Sequence, residues 1–363
     1  MIIGFDARFM SVPGGIPRYC RELLIEMSEL EPETGFVVLV KNIPTDFPKR
    51  VNITWIETDI HWYSLREQFS LGRLMNAQNV DLWHIPHWNV PFTLRTPFVM
   101  TFHDFIFEHY PTHARNWRAA ILWRIKLFLW RALLGYNIFR ARAVITVSNF
   151  VKNQLVTRHV WAQKKITAIH LGLSRLPQPK KPHFAVEEPF FLVVGNSYPH
   201  KNHRIVFKTA LELPGQRAHW YFLTHKDRFS EQLETEAQQL GLSNRVHYAF
   251  DASDETLAWM YEHCTALVLP SQSEGFGIPP LEAFSFGKPA IVARTSSLPE
   301  ILGPLAQWFS PDSSSELATT LQHTLQHAST HSAALSETRK SHASRFTWRT
   351  TALSTLKIYR NVL

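Results

Sequence analysis

Short apolar, β-branched runs alternate with helix-length amphipathic segments along the chain. Two passages repeat one pattern. Met1-Ile2-Ile3-Gly4-Phe5 leads through a Gly14-Gly15 turn into a helical period of Tyr19, Leu23, Leu24 and Met27. Phe190-Phe191-Leu192-Val193-Val194-Gly195 leads through Pro199 into a helical period from Ile205 to Leu211. Further short apolar runs stand at Gly35–Val40, 97–101, 143–147, 220–223, Ala266–Leu269 and 289–293. Strands that alternate with helices in this way predict parallel sheets with covering helices, one in each half of the chain. Between the halves, residues 174–189 carry Pro177, Pro179, Pro182 and Pro189, two lysines and no apolar period, which reads as a linker. The expected division is a domain over 1–173, a linker over 174–188 and a domain over 189–345.

Length agrees with that division, since 363 residues at roughly 100–200 per domain make about two domains. With 45% apolar and 19% charged residues the chain is neither disordered nor fibrous. Cys20 and Cys264 stand far apart, so no disulfide framework or paired-cysteine metal site is expected, and a reducing cytosol suits the chain. Asp6 comes too early for a signal peptide, and Arg124, Lys126 and Arg131 interrupt the most apolar long stretch, 119–139. Neither export nor a spanning helix is expected.

Charge is distributed unevenly. The net charge is +8, yet between Glu108 and Glu187 there is no acid and there are fourteen Lys and Arg residues, which leaves −6 for the remainder. Such a block suits an anionic partner, whether nucleic acid, the cytoplasmic leaflet or a phosphorylated ligand; a solvated face is the plainer alternative. Within it, Trp117, Arg118, Trp123, Arg124 and Arg131 mix aromatic and basic residues on one helical stretch. Ile121, Ile125, Phe128 and Ala132 have the spacing of a core-facing stripe, while Trp and Arg outside the stripe suit a lipid headgroup layer. Histidine pairs three or four apart, His84/His87, His109/His113 and His200/His203, lack nearby carboxylates, and no metal site is expected.

The most informative local stretch follows the apolar run Ala266–Leu269: Pro-Ser-Gln-Ser-Glu274-Gly275-Phe276-Gly277-Ile278-Pro279-Pro280-Leu281-Glu282. A glycine loop that opens a helix favours an anion, because free amides and the helix dipole point at it. A carboxylate one turn further, Glu282, cannot bind phosphate but accepts from paired ribose hydroxyls, and Glu274 is placed for the hydroxyls of a second ring.

This stretch resembles the Glu-x7-Glu element of the retaining glycosyltransferases of family 4, and the likeness extends along most of the chain. Pro13-Gly14-Gly15-Ile16-Pro17-Arg18-Tyr19 resembles their first-strand glycine loop. Leu82-Trp83-His84-Ile85-Pro86-His87 and Val99-Met100-Thr101-Phe102-His103-Asp104 resemble their N-domain active-site strands. Val144-Ile145-Thr146-Val147-Ser148 resembles the strand before the linker, and Val194-Gly195-Asn196 through Lys201-Asn202 the phosphate-binding stretch. Residues 346–363 resemble the terminal helix that crosses back to the N-domain. The resemblance implies the α/β GT-B architecture, two Rossmann-like parallel-sheet domains facing a central cleft, and transfer of a hexose from a nucleotide sugar to a growing or lipid-linked glycan.

Carried over residue by residue, the resemblance places Gly15, Lys201, Gly277 and Ile278 at the donor diphosphate, and Glu274, Phe276 and Glu282 at the donor sugar and ribose. His103 would lie beside the donor sugar with Asp104 orienting it, so His103, Glu274 and Asp104 form the implied catalytic group. Phe250 and Asp251, in the irregular stretch 249–253, are the implied nucleobase contacts. Arg18 with Trp117, Arg118, Trp123, Arg124 and Arg131 would face membrane or acceptor. Where the family pattern has arginines beside the phosphate, this chain has His200 and Asn196, and Arg204 or His200 is left to compensate. No cofactor and no metal are implied: a lysine and loop amides replace a divalent ion. The motifs are most like those of mannosyltransferases using GDP-mannose; UDP-glucose and UDP-N-acetylglucosamine stay open as donors. A cytoplasmic enzyme held peripherally at the inner membrane face is expected. Outside this class, a sequence pI of about 9.5 admits a nucleic-acid binder, though no nucleic-acid module is recognisable. A scaffold without catalysis is the third class.

Overall fold

The computed structural model describes residues 1–12, 14–110, 117–213, 218–327 and 333–363, with the backbone alone at 117–119. They form two compact units, one of Met1–Asp104, His113–Ser174 and Thr347–Leu363, the other of Phe105–Thr112 and Arg175–Phe346.

The first unit is built on seven parallel strands: β1 Ile2–Asp6, β2 Gly35–Val40, β3 Ile53–Glu57, β4 Leu82–Ile85, β5 Phe98–Phe102, β6 Ala143–Thr146 and β7 Ile166–Ala168. Their spatial order is β3-β2-β1-β4-β5-β6-β7. Strands β4, β5 and β6 are buried at every position, as strands covered on both faces must be. The chain leaves β1 in one direction, through β2 and β3, and returns on its other side at β4. Connections therefore diverge above the carboxyl ends of β1 and β4, where α/β sheets open a crevice. The helix Gly15–Leu30 buries Tyr19, Cys20, Leu23, Leu24 and Met27. The terminal helix Trp348–Val362, capped by the Thr347 side chain, buries Trp348, Ala352, Leu356 and Tyr359. Gly172 lets it approach, since a Cβ there would stand 2.2 Å from the Trp348 amide nitrogen.

The second unit has six parallel strands: β8 Phe190–Val194, β9 His219–Thr224, β10 Val246–Phe250, β11 Ala266–Leu269, β12 Ala290–Ala293 and β13 Gln307–Phe309. Their order is β10-β9-β8-β11-β12-β13, so the reversal falls between β8 and β11. Alternating residues feed two cores. Phe191, Val193, Trp220, Phe222 and Val268 face one side, and Phe190, Leu192, Tyr221, Leu223 and Leu267 the other. The proline-rich stretch before β8 is seated on this unit: the Lys180 amide donates to the Glu255 carbonyl at 3.0 Å, Phe184 stacks on Tyr221, and Leu176 and Val186 pack against the core.

Strands β3, β4, β7, β10 and β13 have no counterpart among the apolar runs read from sequence; β4 is central, its run broken by His84 and its place given only by the resemblance, and the other four are sheet edges. An edge strand is solvated along one side, so its residues carry less of the continuous apolar signal. One reading is corrected directly: the stretch 249–253 is not irregular throughout, because Ala249 and Phe250 complete β10. A second correction concerns the helix Trp117–Arg140. Among its described side chains Trp130, Leu134, Asn137 and Ile138 are buried, whereas Ile121, Ile125, Phe128 and Ala132, spaced like a core stripe, are exposed.

Candidate active site

Two loops follow the carboxyl ends of β8 and β11 on either side of the strand-order reversal in the second unit. The first turns at Gly195, with φ +133°, and passes through a short 3-10 turn, Pro199–Lys201. A Cβ at Gly195 would stand 3.9 Å from Lys201 Nζ, so the missing side chain keeps space beside the ammonium. The second loop carries Glu274, whose Oε1 accepts from Lys201 Nζ at 2.6 Å. Both side chains are nearly buried. Burial alone would raise the Glu274 carboxyl, but the Lys201 ammonium outweighs it and holds the group below the usual carboxylate range.

The Glu274 loop is fixed by hydroxyls. The Ser296 hydroxyl accepts from the Glu274 amide at 2.8 Å, and Ser297 Oγ donates to the carbonyls of Glu274 and Phe276 at 2.9 and 3.1 Å. Gly277 is left-handed at φ +101° and caps the eight-residue helix Ile278–Ser285. A Cβ at Gly277 would meet Leu298 Cδ2 at 2.4 Å, so conformation and space both demand glycine. Pro279 and Pro280 have no N–H, so the first-turn amides left to an anion are those of Gly277 and Ile278. Phe276 is buried edge-on against Phe346, and Glu282 is buried with Oε2 accepting from the Tyr261 hydroxyl at 2.7 Å. Lys201, Glu274, Gly277 and Ile278 thus stand on the two loops that flank the reversal. A cation, amides and a carboxylate so arranged suit an anion linked to a hydroxylated ring.

Neither residue left to compensate for a missing arginine supplies a free cation. Arg204 Nε is engaged by Glu236 at 2.8 and 2.9 Å, and burial pushes the His200 imidazole down to about 4, so it is neutral. Phe250 closes β10, an edge strand two places from β8, and Asp251 follows it, held to His225 Nδ1 at 2.7 Å. Among the described residues one group brings three metal-ligating side chains within 4.8 Å of one another, Glu187, His219 and His247, near the start of β9 and β10 rather than at the Lys201 loop.

The first unit gathers its histidines at the carboxyl ends of β4 and β5. His84 is buried between the Tyr359 hydroxyl, 2.5 Å from Nδ1, and Thr101 Oγ1, 2.8 Å from Nε2. Burial lowers it to about 3. His103, lowered by burial to about 4, has Nε2 3.0 Å from the Pro86 carbonyl. That bond assigns the proton of the neutral ring to Nε2 and leaves Nδ1 as an acceptor. Gly15 opens its helix exposed, with nothing within 4 Å of an added Cβ, after Gly14 at φ +141°. Arg18 is half-buried on that helix; Trp123 is half-buried, and Arg124 and Arg131 are exposed. The side chains of Trp117 and Arg118 lie outside the described residues, as does His113.

Sequence reasoning missed a buried ionic cluster in this unit. Arg8 Nε and Nη2 donate to the two Asp6 oxygens at 2.8 Å, and Nη2 also to Glu67 Oε1 at 2.7 Å, with Arg8 and Glu67 each 1% exposed. Arg8 and Glu67 are 59 positions apart, and no local spacing links them.

Residues 174–341 match the family model described as glycosyl transferases group 1, and residues 13–174 match that of glycosyltransferase family 4. The chain belongs to the family 4 glycosyltransferases, and its paired parallel-sheet units are those of the GT-B fold. It is similar to the O-antigen chain mannosyltransferase RfbU of Salmonella typhimurium, 27% identical over 79% of this chain and 76% of the relative. Among solved structures it resembles sucrose-phosphate synthase of Thermosynechococcus elongatus, with a TM-score of 0.77, 17% identity and coverage of 99% and 98% of the two chains. It also resembles Anabaena HepE in complex with UDP-glucose, with a TM-score of 0.72, 18% identity and coverage of 98% and 99%. The protein is a hexosyltransferase of this family.

Proposed function

We infer that the protein transfers mannose from GDP-mannose, with retention and without a metal ion, to a lipid-linked or growing surface glycan. The observation that carries this reading is the Lys201–Glu274 pair across the strand reversal of the second unit. Charge grows on the diphosphate as the glycosidic bond breaks, and Lys201 with the Gly277 and Ile278 amides would meet it there; donors aimed at developing charge are usually the largest catalytic contribution. Glu274 would then accept from sugar hydroxyls, and Glu282 from the ribose. The acceptor hydroxyl attacks the anomeric carbon on the face the leaving group departs from, and the departing phosphate oxygen takes the acceptor proton. His103 Nδ1 would accept from a sugar hydroxyl beside that carbon, with Asp104 orienting the ring. The RfbU relative supports mannose as the sugar. The Anabaena relative in complex with UDP-glucose supports a second reading, a UDP-sugar donor.

The acceptor side of the reading places the enzyme on the inner face of the cytoplasmic membrane. Ile121, Leu122, Ile125, Phe128 and Leu129 are 48–70% exposed on a helix that also presents Arg124, Lys126 and Arg131 to solvent. Apolar side chains flanked by cations in an acid-free block suit anionic lipid, where each nearby cation gains about 1 kcal/mol. Among the described residues no helix is long and apolar enough to cross a membrane.

A thermal-shift panel of GDP, UDP and ADP tests the donor, because a ligand at about 100 times its dissociation constant stabilises by about 2.7 kcal/mol. GDP is expected to raise the melting temperature most. A shift with UDP alone replaces the donor, and no shift with any of the three removes the reading.

A further inference from the structure

Glu67 does more than pair with Arg8: its Oε2 accepts from the Tyr63 amide at 2.7 Å and from the Asn89 side-chain amide. A buried ionic cluster is a weak source of stability. What this one does locally is hold Tyr63 at φ 60°, a left-handed conformation that a bulky L residue keeps only when its surroundings impose it. The side chain so held is 58% exposed and stacked on Trp88, with ring centroids 5.6 Å apart. Trp88 follows β4, and Phe9, whose ring centroid is 5.1 Å from that of His87, follows β1, so the aromatic cluster around His87 flanks the strand reversal of the first unit.

The hydroxyl has a defined polarity. The Asn89 amide donates to His87 Nδ1 at 3.3 Å, so the proton of the neutral imidazole is on Nε2, which donates to the Tyr63 oxygen at 3.0 Å. The Tyr63 hydrogen is left for another acceptor. Burial first, then the charges of Glu67 and Asp104, push the hydroxyl pKa up, which keeps it a donor and sets it near the implied catalytic aspartate. Arg8 is buried against two carboxylates, so the neighbouring cation is already neutralised, and an aromatic face with a neutral donor suits an uncharged polyhydroxylated ring.

We propose that the Tyr63 face, backed by Trp88, is a saccharide subsite that takes a pyranose ring of the acceptor, with Arg8 and Glu67 as positioning residues that hold the tyrosine there. This rests on the glycosyltransferase reading and names a contact for its acceptor. Saturation-transfer NMR on the full chain, without nucleotide, with methyl α-pyranosides of mannose, glucose, galactose and N-acetylglucosamine tests it. Transfer to ring C–H protons of at least one is expected. Tyr63→Gly, which accepts the left-handed backbone, should keep or raise the melting temperature and abolish that transfer. Tyr63→Phe should weaken it by about fivefold, the worth of one neutral hydrogen bond. Glu67→Gln should lose both the transfer and the near-ultraviolet circular dichroism of the Tyr63–Trp88 stack while the far-ultraviolet spectrum holds. Lys201→Ala should leave pyranoside transfer intact, so failure at the nucleotide is distinguishable from failure here. No transfer to any pyranoside, or undiminished transfer in Tyr63→Gly, overturns the subsite; unchanged near-ultraviolet spectrum and transfer in Glu67→Gln overturns the positioning role.

Discussion

Lys201 Nζ lies 2.6 Å from Glu274 Oε1, joining the loop after β8 to the loop after β11 at the point where the second sheet reverses its strand order. In the proposed reaction the two groups serve different parts of one donor, the ammonium its diphosphate and the carboxylate its sugar. In the chain alone each neutralises the other.

Removing one partner should therefore cost stability as well as activity. Lys201→Ala leaves a nearly buried carboxylate unpaired, a change worth about 3–5 kcal/mol in buried pairs. It should also cost about 10²–10³ in kcat, the usual scale for a lost oxyanion donor. The double variant Lys201→Ala/Glu274→Ala should regain most of the stability and none of the transfer. Denaturant titrations with transfer assays on the parent and the two variants check this, and a double variant no more stable than the single one contradicts the coupling.

Gly277→Ala should be destabilising by about 1–3 kcal/mol, because the added methyl meets Leu298 and the backbone is left-handed. It should also weaken nucleotide binding by moving the Ile278 amide. Melting temperature and GDP affinity are the readouts; an alanine variant that matches the parent in both would remove Ile278 from the site.

Four buried histidines and the half-buried His103 make stability depend on pH in one direction. His84, His87 and His203 are lowered by burial to about 3, and His103 and His200 to about 4, from an ordinary 6.5. The unfolded chain binds the extra protons, so this stability is full above pH 6.5 and is lost as pH falls toward those values. At about pH 5 each site should have lost up to about 2 kcal/mol. Calorimetry across this range should show the melting temperature falling steadily below pH 6.5, and a flat profile would mean the imidazoles are protonated in place.

The exposed apolar side chains of the helix Trp117–Arg140 can be tested without risk to the core. Phe128→Gln with Leu129→Gln should leave the melting temperature within about 0.5 kcal/mol equivalent, since both are surface residues. Co-sedimentation with vesicles containing anionic lipid should fall in the double variant and fall with salt in the parent. Equal sedimentation of both proteins would exclude this helix as the contact.

Continuous apolar runs made most central strands of both sheets readable, because a strand buried on both faces seldom has a polar position to break its pattern; β4, broken by the buried His84, is the exception. Glycine spacing and the two glutamates pointed in the same way to the loop after β11, where Gly277 has the left-handed conformation that only its residue type tolerates cheaply. Such features are local: propensity, period and backbone freedom are written in neighbouring residues. The edge strands escaped because one side of each meets water.

What the tertiary structure alone decided are relationships between distant positions. The sequence did not say that Arg204 is taken by Glu236, that Glu67 closes on Arg8 and Tyr63, or that Ile121, Ile125 and Phe128 face solvent while Trp130 and Leu134 are buried. An apolar period shows that a helix has a face, not what covers it, and a charge shows nothing of its partner until folding brings the two within hydrogen-bond reach.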